Sequence, residues 1–190
     1  MAKKKKDKDF PWSLIASAVL TFIAGIVLMY IYGEDILPKT LPTGAKPTAT
    51  IKVYFSDESG KYITAERHII EKGTIEEQIK ESLNQLILGP KNQNLATPMP
   101  DGTKVISVAV KQDTAFIKFS KELKDNHMGG SSAELQTVFS IVNTVTKSFG
   151  NIKFVQILID NADNEITETL AGHIMINIPL MANNDIVSGN

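Results

Sequence analysis

Ser131-Ser132-Ala133-Glu134-Leu135-Gln136-Thr137-Val138-Phe139-Ser140-Ile141-Val142-Asn143-Thr144-Val145-Thr146-Lys147-Ser148-Phe149-Gly150, followed shortly by Lys153-Phe154-Val155-Gln156-Ile157-Leu158-Ile159, is the stretch that decides the fold. In its first part Leu135, Val138, Phe139, Val142, Val145 and Phe149 recur at helical spacing, giving one apolar stripe, and Gly150 stops the helix. Ser131 with Glu134 three positions later predicts a capping box at its start. The second part is a nearly unbroken apolar run, as expected of a central strand covered on both faces. An amphipathic helix feeding a buried strand needs a sheet to pack against.

Upstream the same grammar repeats. Ile51, Val53 and Phe55 alternate with Lys52 and Tyr54 in the period of a half-buried strand. Asp57-Glu58-Ser59-Gly60 is a turn, and Tyr62 to Ile70 a second strand. Thr74 and Glu77 form a capping box for a helix with Ile75, Ile79, Leu83 and Leu86 on one stripe, ended by Gly89-Pro90. After a Pro- and Asn-rich loop, Val105–Val110 and Ala115–Phe119 are strands joined at Lys111-Gln112-Asp113. Downstream, Ile174, Ile176 and Ile178 predict a last strand over His173–Ile178. The expected fold is α+β, a mixed β-sheet with two amphipathic helices in the order ββα-ββα-ββ, preceded by one transmembrane helix. The strand-strand-helix repetition is one of pattern, with no matching residues.

Leu14–Tyr32 is apolar and uncharged, and nineteen residues at about 1.5 Å each span about 28 Å, close to a bilayer core. Five lysines among residues 1–9 place the N-terminus in the cytoplasm and the remainder across the membrane. A cleaved signal peptide has a shorter apolar run and small residues at its end. Met29-Tyr30-Ile31-Tyr32 is bulky, which favours an uncleaved anchor. Pro38, Pro42 and Pro47 make 33–48 an extended linker, reaching up to about 50 Å. The expected organisation is a basic cytoplasmic segment over 1–13, an anchor over 14–32, that linker, a domain over 49–181 and a flexible tail over 182–190.

The body beyond residue 9 carries 15 basic and 19 acidic residues, with Arg67 the chain's one arginine. Nucleic-acid binding needs clustered cations and is excluded on that ground. There is no cysteine, so neither a disulfide nor a lipid-bearing thiol is available.

The candidates for chemistry each have a plainer reading. Gly129-Gly130-Ser131-Ser132 at a helix start resembles an anion cradle, but the capping box already supplies a carboxylate there. His68, His127 and His173 lie too far apart in sequence for a helical metal pair, and His173 fits a hydrogen-bonding role at a sheet end. Ser131 or Ser132 with His173 and Asp160 would make a hydrolase on paper, but no Gly-x-Ser-x-Gly elbow is present. Asp160, Asp163 and Glu165 fit a solvated turn. Asn143, flanking the long helix's stripe, fits a specific hydrogen bond to a loop or the sheet. Asp101-Gly102 is a turn. No catalytic, cofactor-binding or metal-ligating residue is expected.

Several stretches together resemble the GerMN domain family, named after the spore germination protein GerM. They are Phe119-Ser120-Lys121-Glu122-Leu123, Gly130-Ser131-Ser132-Ala133-Glu134-Leu135, Ser140-Ile141-Val142-Asn143-Thr144 and Val155-Gln156-Ile157-Leu158-Ile159-Asp160. Glu168-Thr169-Leu170-Ala171-Gly172-His173-Ile174, Pro179-Leu180, Leu88-Gly89-Pro90 and Pro100-Asp101-Gly102-Thr103-Lys104-Val105 complete the set. The resemblance covers about Thr48 to Met181. It implies a non-enzymatic extracytoplasmic module related to envelope assembly around the developing spore, with a fold similar to ring-building domains of secretion complexes. It brings no catalytic residues. GerM-like proteins have a lipid-attachment cysteine and two tandem domains, where this chain has an apolar helix and one domain.

The function expected is a membrane-anchored, extracytoplasmic interaction or scaffold module of the bacterial cell envelope, in sporulation, germination or envelope assembly. It would bind envelope proteins or self-associate. The alternative is a module recognising peptidoglycan or a peptide, although aromatic residues, at 7%, are few for a sugar platform.

Overall fold

The computed structural model describes residues 12–36, 46–161 and 167–188, with the side chains of the first helix described for 15–31. Two compact units result, Met1–Ala45 and Lys46–Asn190.

The first unit contributes α1, Trp12–Ile36. It has no polar stripe, and Leu20, Phe22, Met29 and Tyr30 among others are exposed. The expected span over 14–32 falls inside α1. Among the described residues no helix is long and apolar enough to cross a membrane. The helix runs into the expected linker as far as Ile36, while 37–45 lie outside the described residues.

The second unit holds two sheets rather than the single one expected. In the first, β1 (Thr48–Asp57) pairs antiparallel with β2 (Ile63–Glu71), from Thr48↔Glu71 to Ser56↔Ile63. The Thr74–Glu77 capping box is present and opens α2 (Ile75–Leu88), whose Ile79, Leu83 and Leu86 are fully buried. A two-residue strand, β3 (Leu95–Ala96), joins the far edge of β1 at Ser56↔Ala96. The second sheet starts with the hairpin of β4 (Val105–Lys111) and β5 (Thr114–Phe119), turning at Gln112 with φ 56°. A short α3 (Glu122–Asp125) and the long α4 (Ser131–Ser148) then cross over to β6 (Phe154–Ile159), which runs parallel to β5. The two-residue β7 (Leu180–Met181) pairs antiparallel with β6.

One apolar core spans both sheets, with Val53, Phe55, Leu83, Ile117, Val138, Val142 and Ile157 all buried in it. Helix α4 packs on β1, α2, β6 and β7, so it is buried on more than the expected stripe. Ser140, Asn143 and Thr144 have no exposed surface. Along its β1 side, hydroxyls replace a neighbouring strand. Ser148 Oγ accepts from Lys52 N and donates to Lys52 O, both at 2.9 Å, and Thr144 Oγ1 accepts from Tyr54 N at 3.0 Å. One turn earlier, Ser140 Oγ is buried without a hydrogen-bond partner among the described residues.

Three further expectations are corrected. The start of α4 has no capping box. Gly130, at φ 89°, is the N-cap and makes no side-chain cap, and Glu134 turns inward. His173–Ile178 is not a continuous strand: it pairs with 168–170 in a single antiparallel bridge, Thr169↔Met175, and side chains take other backbone groups. Glu134 accepts from the amides of Ala171, His173 and Ile174, and Gln156 Nε2 donates to Ile176 O. The tail is docked rather than loose over its described part. Ile63 N donates to Ile186 O at 2.7 Å and Ser188 N to Ile63 O at 2.9 Å, with Ile186 packed on Tyr54 and Ile63.

Candidate functional site

The residues with chemical potential are spent on holding loops. Glu134 is the centre of the largest such cluster. Its carboxylate has no solvent exposure, and its Oε2 accepts Ala171 N, His173 N and Ile174 N at 3.0–3.1 Å. Oε1 accepts from His173 Nδ1 at 2.6 Å. Burial alone would raise this carboxyl's pKa. The hydrogen bonds from Ile174 N, the His173 ring and the amides of Ala171 and His173 outweigh it, leaving a value of about 2 against an ordinary 4.5. The sequence placed Glu134 at a helix cap. What it does instead is clamp the 171–174 loop.

Glu66 does the same on the other sheet. It accepts Lys91 N at 3.0 Å, Asn92 N at 2.8 Å and His68 Nε2 at 2.6 Å, and His68 Nδ1 lies 3.1 Å from Gln85 Oε1. Burial opposes ionisation here too, and the hydrogen bonds from Lys91, Asn92 and His68 lower its pKa. Each of these two histidines has one ring nitrogen on a carboxylate, His68 on Glu66 and His173 on Glu134.

His127 is held differently. Gly129 N donates to its Nδ1 at 2.9 Å, so the ring proton sits on Nε2, which donates to Thr137 Oγ1 at 3.0 Å. Burial lowers its pKa, against the pull of Glu134's charge, and keeps the ring neutral. The ring lines an open groove of about 810 Å³ between the 97–101 loop and the first turns of α4. Pro98, Met99 and Pro100 form one wall, and Met128, 90% exposed, stands at its mouth.

The paper triad is not assembled. Ser132 Oγ donates to Gly60 O at 3.1 Å, joined there by Gln136 Nε2, so α4 grips the β1–β2 turn. Ser131 is exposed at the first helical position. His173 is committed to Glu134, and Asp160 pairs with Lys118 at 2.6 Å. Asp163 and Glu165 lie outside the described residues. Asn143 makes the specific bond expected of it: Nδ2 donates to Asn183 O at 2.7 Å and Oδ1 accepts Asn183 N at 3.0 Å. Asp101-Gly102 is a turn, with Asp101 O accepting from Asn126 Nδ2. No group of three or more His, Cys, Asp or Glu suited to a metal ion occurs among the described residues.

A family model described as "Germane: Sporulation and spore germination" matches residues 52–165, more than half of the chain. The chain belongs to the Germane family. Among solved structures, the tandem GerMN domains of the sporulation protein GerM from Bacillus subtilis are 25% identical, with a TM-score of 0.56 over 71% of this chain and 46% of that one. This chain thus spans about half of the tandem protein, in line with a single GerMN-like domain. A Clostridium perfringens protein described as a lipoprotein is 26% identical, with a TM-score of 0.51 over 80% of this chain and all of that one. The first GerMN domain of Bacillus subtilis GerM, 23% identical with a TM-score of 0.50, shares the fold. No curated protein matches this Germane chain. The mixed α+β fold and the GerMN resemblance expected from the sequence are both borne out.

Proposed function

We propose that this Germane protein is a membrane-anchored, extracytoplasmic scaffold module of the bacterial cell envelope that acts through protein contacts rather than catalysis. The observation that carries the reading is the fate of its polar side chains. Glu134, His173, Glu66, His68, Ser132, Asp160 and Asn143 each have an intramolecular partner that fixes a loop, a turn or the tail. A nucleophile needs a base beside it, and Ser132 Oγ donates to Gly60 O rather than to a histidine. The relatives support the envelope setting: one is described as a lipoprotein and another as a sporulation protein.

The anchor belongs to the same proposal. Helix α1 has 25 residues, about 38 Å of helix, and apolar side chains on all its described faces. Such a helix is costly in water and stable in lipid. With the lysines of residues 1–9 held inside, the domain faces outward.

The test is protease added to spheroplasts carrying the full chain with a C-terminal tag. Loss of the tag from intact cells is the expected result. A tag that survives until the cells are lysed would refute the topology. Treating the same membranes with a serine-reactive phosphonate would expose a hydrolase through covalent labelling, and none is expected.

A second reading rests on the groove beside His127. Its proline and methionine walls suit an extended peptide better than a sugar, which would need aromatic platforms. Retention of the chain on purified peptidoglycan, with no protein crosslinked in native membranes, would favour a ligand-binding module instead.

A further inference from the structure

Strand β2 has one free edge, and the hydrogen bonds around it define which of its residues face outward. Lys72 N donates to Pro47 O, so the even-numbered residues of this strand direct their backbone groups to β1. On the opposite side Ile63 N donates to Ile186 O, so the odd-numbered residues direct theirs away from β1. Among the described residues the docked tail covers the edge only at Ile63. At Ala65, Arg67, Ile69 and Glu71 the outward N–H and C=O groups have no backbone partner among the described residues. These four side chains are exposed, Ile69 at 67%.

Free edges are usually blunted by bulges, by charge or by cover. The edge of the other sheet follows that rule. Strand β4 has an irregular register between Val105 and Ser107, and Lys80 Nζ reaches Ile106 O. Strand β2 pairs with β1 without a break, and beside residues 69–73 lies an open groove of about 520 Å³ rather than packed chain. Charge is its one protection, and the placement of that charge is informative.

We propose that β2 pairs antiparallel with β2 of a second copy of this chain, with the two-fold axis at Ile69. In this register Arg67 lies opposite Glu71 of the other copy, Glu71 opposite Arg67, and Ile69 opposite itself. All three are outward-facing odd positions, so each pair exchanges main-chain hydrogen bonds, as an antiparallel ladder requires. Opposite charges directly across a ladder stabilise it, whereas a slide of two residues would put Arg67 opposite Ile69 and a slide of four would place Arg67 opposite Arg67. The chain's single arginine and Glu71 therefore select one register instead of blocking them all. The resulting sheet has six strands, with β2 no longer at an edge.

Five paired residues a side bury too little surface for a stable dimer in dilute solution. Glu71 already accepts from Lys46 Nζ at 2.8 Å in an exposed ion pair that the cross-strand contact has to share, and Glu77 and Glu81 of α2 add like charges near the axis. Confinement by two membrane anchors supplies the missing effective concentration. The pairing rests on the anchored-scaffold reading in that respect.

A chain without cysteine makes the test clean. Ile69→Cys is introduced into the full-length protein, which is reconstituted in lipid vesicles and oxidised with copper phenanthroline. Directly opposite residues of a hydrogen-bonded pair have Cα atoms about 5.5 Å apart, within disulfide reach. Ala65→Cys is the control, since its two copies would stand roughly 27 Å apart along the ladder. The expected result is a disulfide dimer from Ile69→Cys and little from Ala65→Cys. Adding Arg67→Glu should lower the dimer yield about tenfold, as two attractive cross-strand pairs become repulsive. Adding Glu71→Arg to that variant should restore it. Equal oxidation at 65 and 69, failure of the double exchange to rescue, or capture of a different protein at residue 69 would each overturn the pairing. Protease accessibility of the domain in the same vesicles separates that outcome from failure of the anchor itself.

Discussion

Replacing Glu134 by glutamine tests whether the carboxylate clamp holds the domain's C-terminal loop. The substitution keeps size and removes the charge. In the parent, one oxygen accepts three backbone amides and the other the His173 ring, with no solvent contact. Hydrogen bonds to an ionised acceptor contribute about 1.5–3 kcal/mol and neutral ones about half that, so losing the charge across four bonds should cost at least about 3 kcal/mol. The carboxyl's displacement from 4.5 to about 2 gives a similar figure, about 3 kcal/mol. For a domain of this size that is about 6–10 °C in melting temperature. The sign with pH follows from linkage. A carboxyl whose folded pKa lies below its unfolded one stabilises fully above pH 4.5, and the contribution fades as pH falls towards 2. Thermal melts of the full chain in detergent, followed by circular dichroism from pH 7 to pH 2, should show the gap between parent and E134Q closing through that window. Amide exchange at Ala171, His173 and Ile174 should quicken in the variant at pH 7. A gap under 2 °C at pH 7, or one that persists unchanged at pH 2, would refute the clamp.

The hydroxyl row of α4 gives two opposed expectations. Thr144→Val leaves Tyr54 N unpaired in the interior and should destabilise by about 1–3 kcal/mol in urea titrations. Ser140→Ala removes a buried hydroxyl that has no partner and should be neutral or stabilising, read in the same titrations. Asn143→Ala deletes both bonds to Asn183, and the tail from 183 to 188 should become accessible to carboxypeptidase while the rest of the fold persists. Thr74→Ala breaks the capping box of α2 and should cost about 1 kcal/mol of unfolding free energy.

The parts legible in sequence are those whose signal is local. The capping box at Thr74, the stripe of α2, the β4–β5 turn and the apolar run of β6 are each written within a few neighbouring residues. Asn143 was legible as a partner-seeking residue because amides are unfavourable inside helices, although its partner forty residues on was not. The misread parts depend on residues far apart in the chain. Glu134 satisfies the pattern of a capping box, and only the position of the 171–174 loop shows that its carboxylate points the other way. The isoleucines of 174–178 carry a strand's period, but the pairing stops at one bridge to 168–170, while Glu134 takes Ile174 N and Gln156 takes Ile176 O. The split into two sheets has no local signature either. It follows from α4 lying along β1, where Thr144 and Ser148 satisfy the edge that a strand from the other sheet would otherwise cover.

These substitutions of side chain for strand share a physical logic. A loop bound by a buried carboxylate satisfies its amides without adopting extended geometry, and so escapes the twist that a sheet imposes. Glu66 fixes 91–92 beside one sheet and Glu134 fixes 171–174 beside the other, each with a histidine closing the cluster. Along β1 and β6 the same economy operates, with hydroxyls and an amide standing in for ladder partners. Most polar side chains of the interior are thereby committed to architecture. Among the described residues, what stays uncommitted lies at the surface: the outward backbone of Ala65, Arg67, Ile69 and Glu71 in β2 and the groove walled by prolines and methionines.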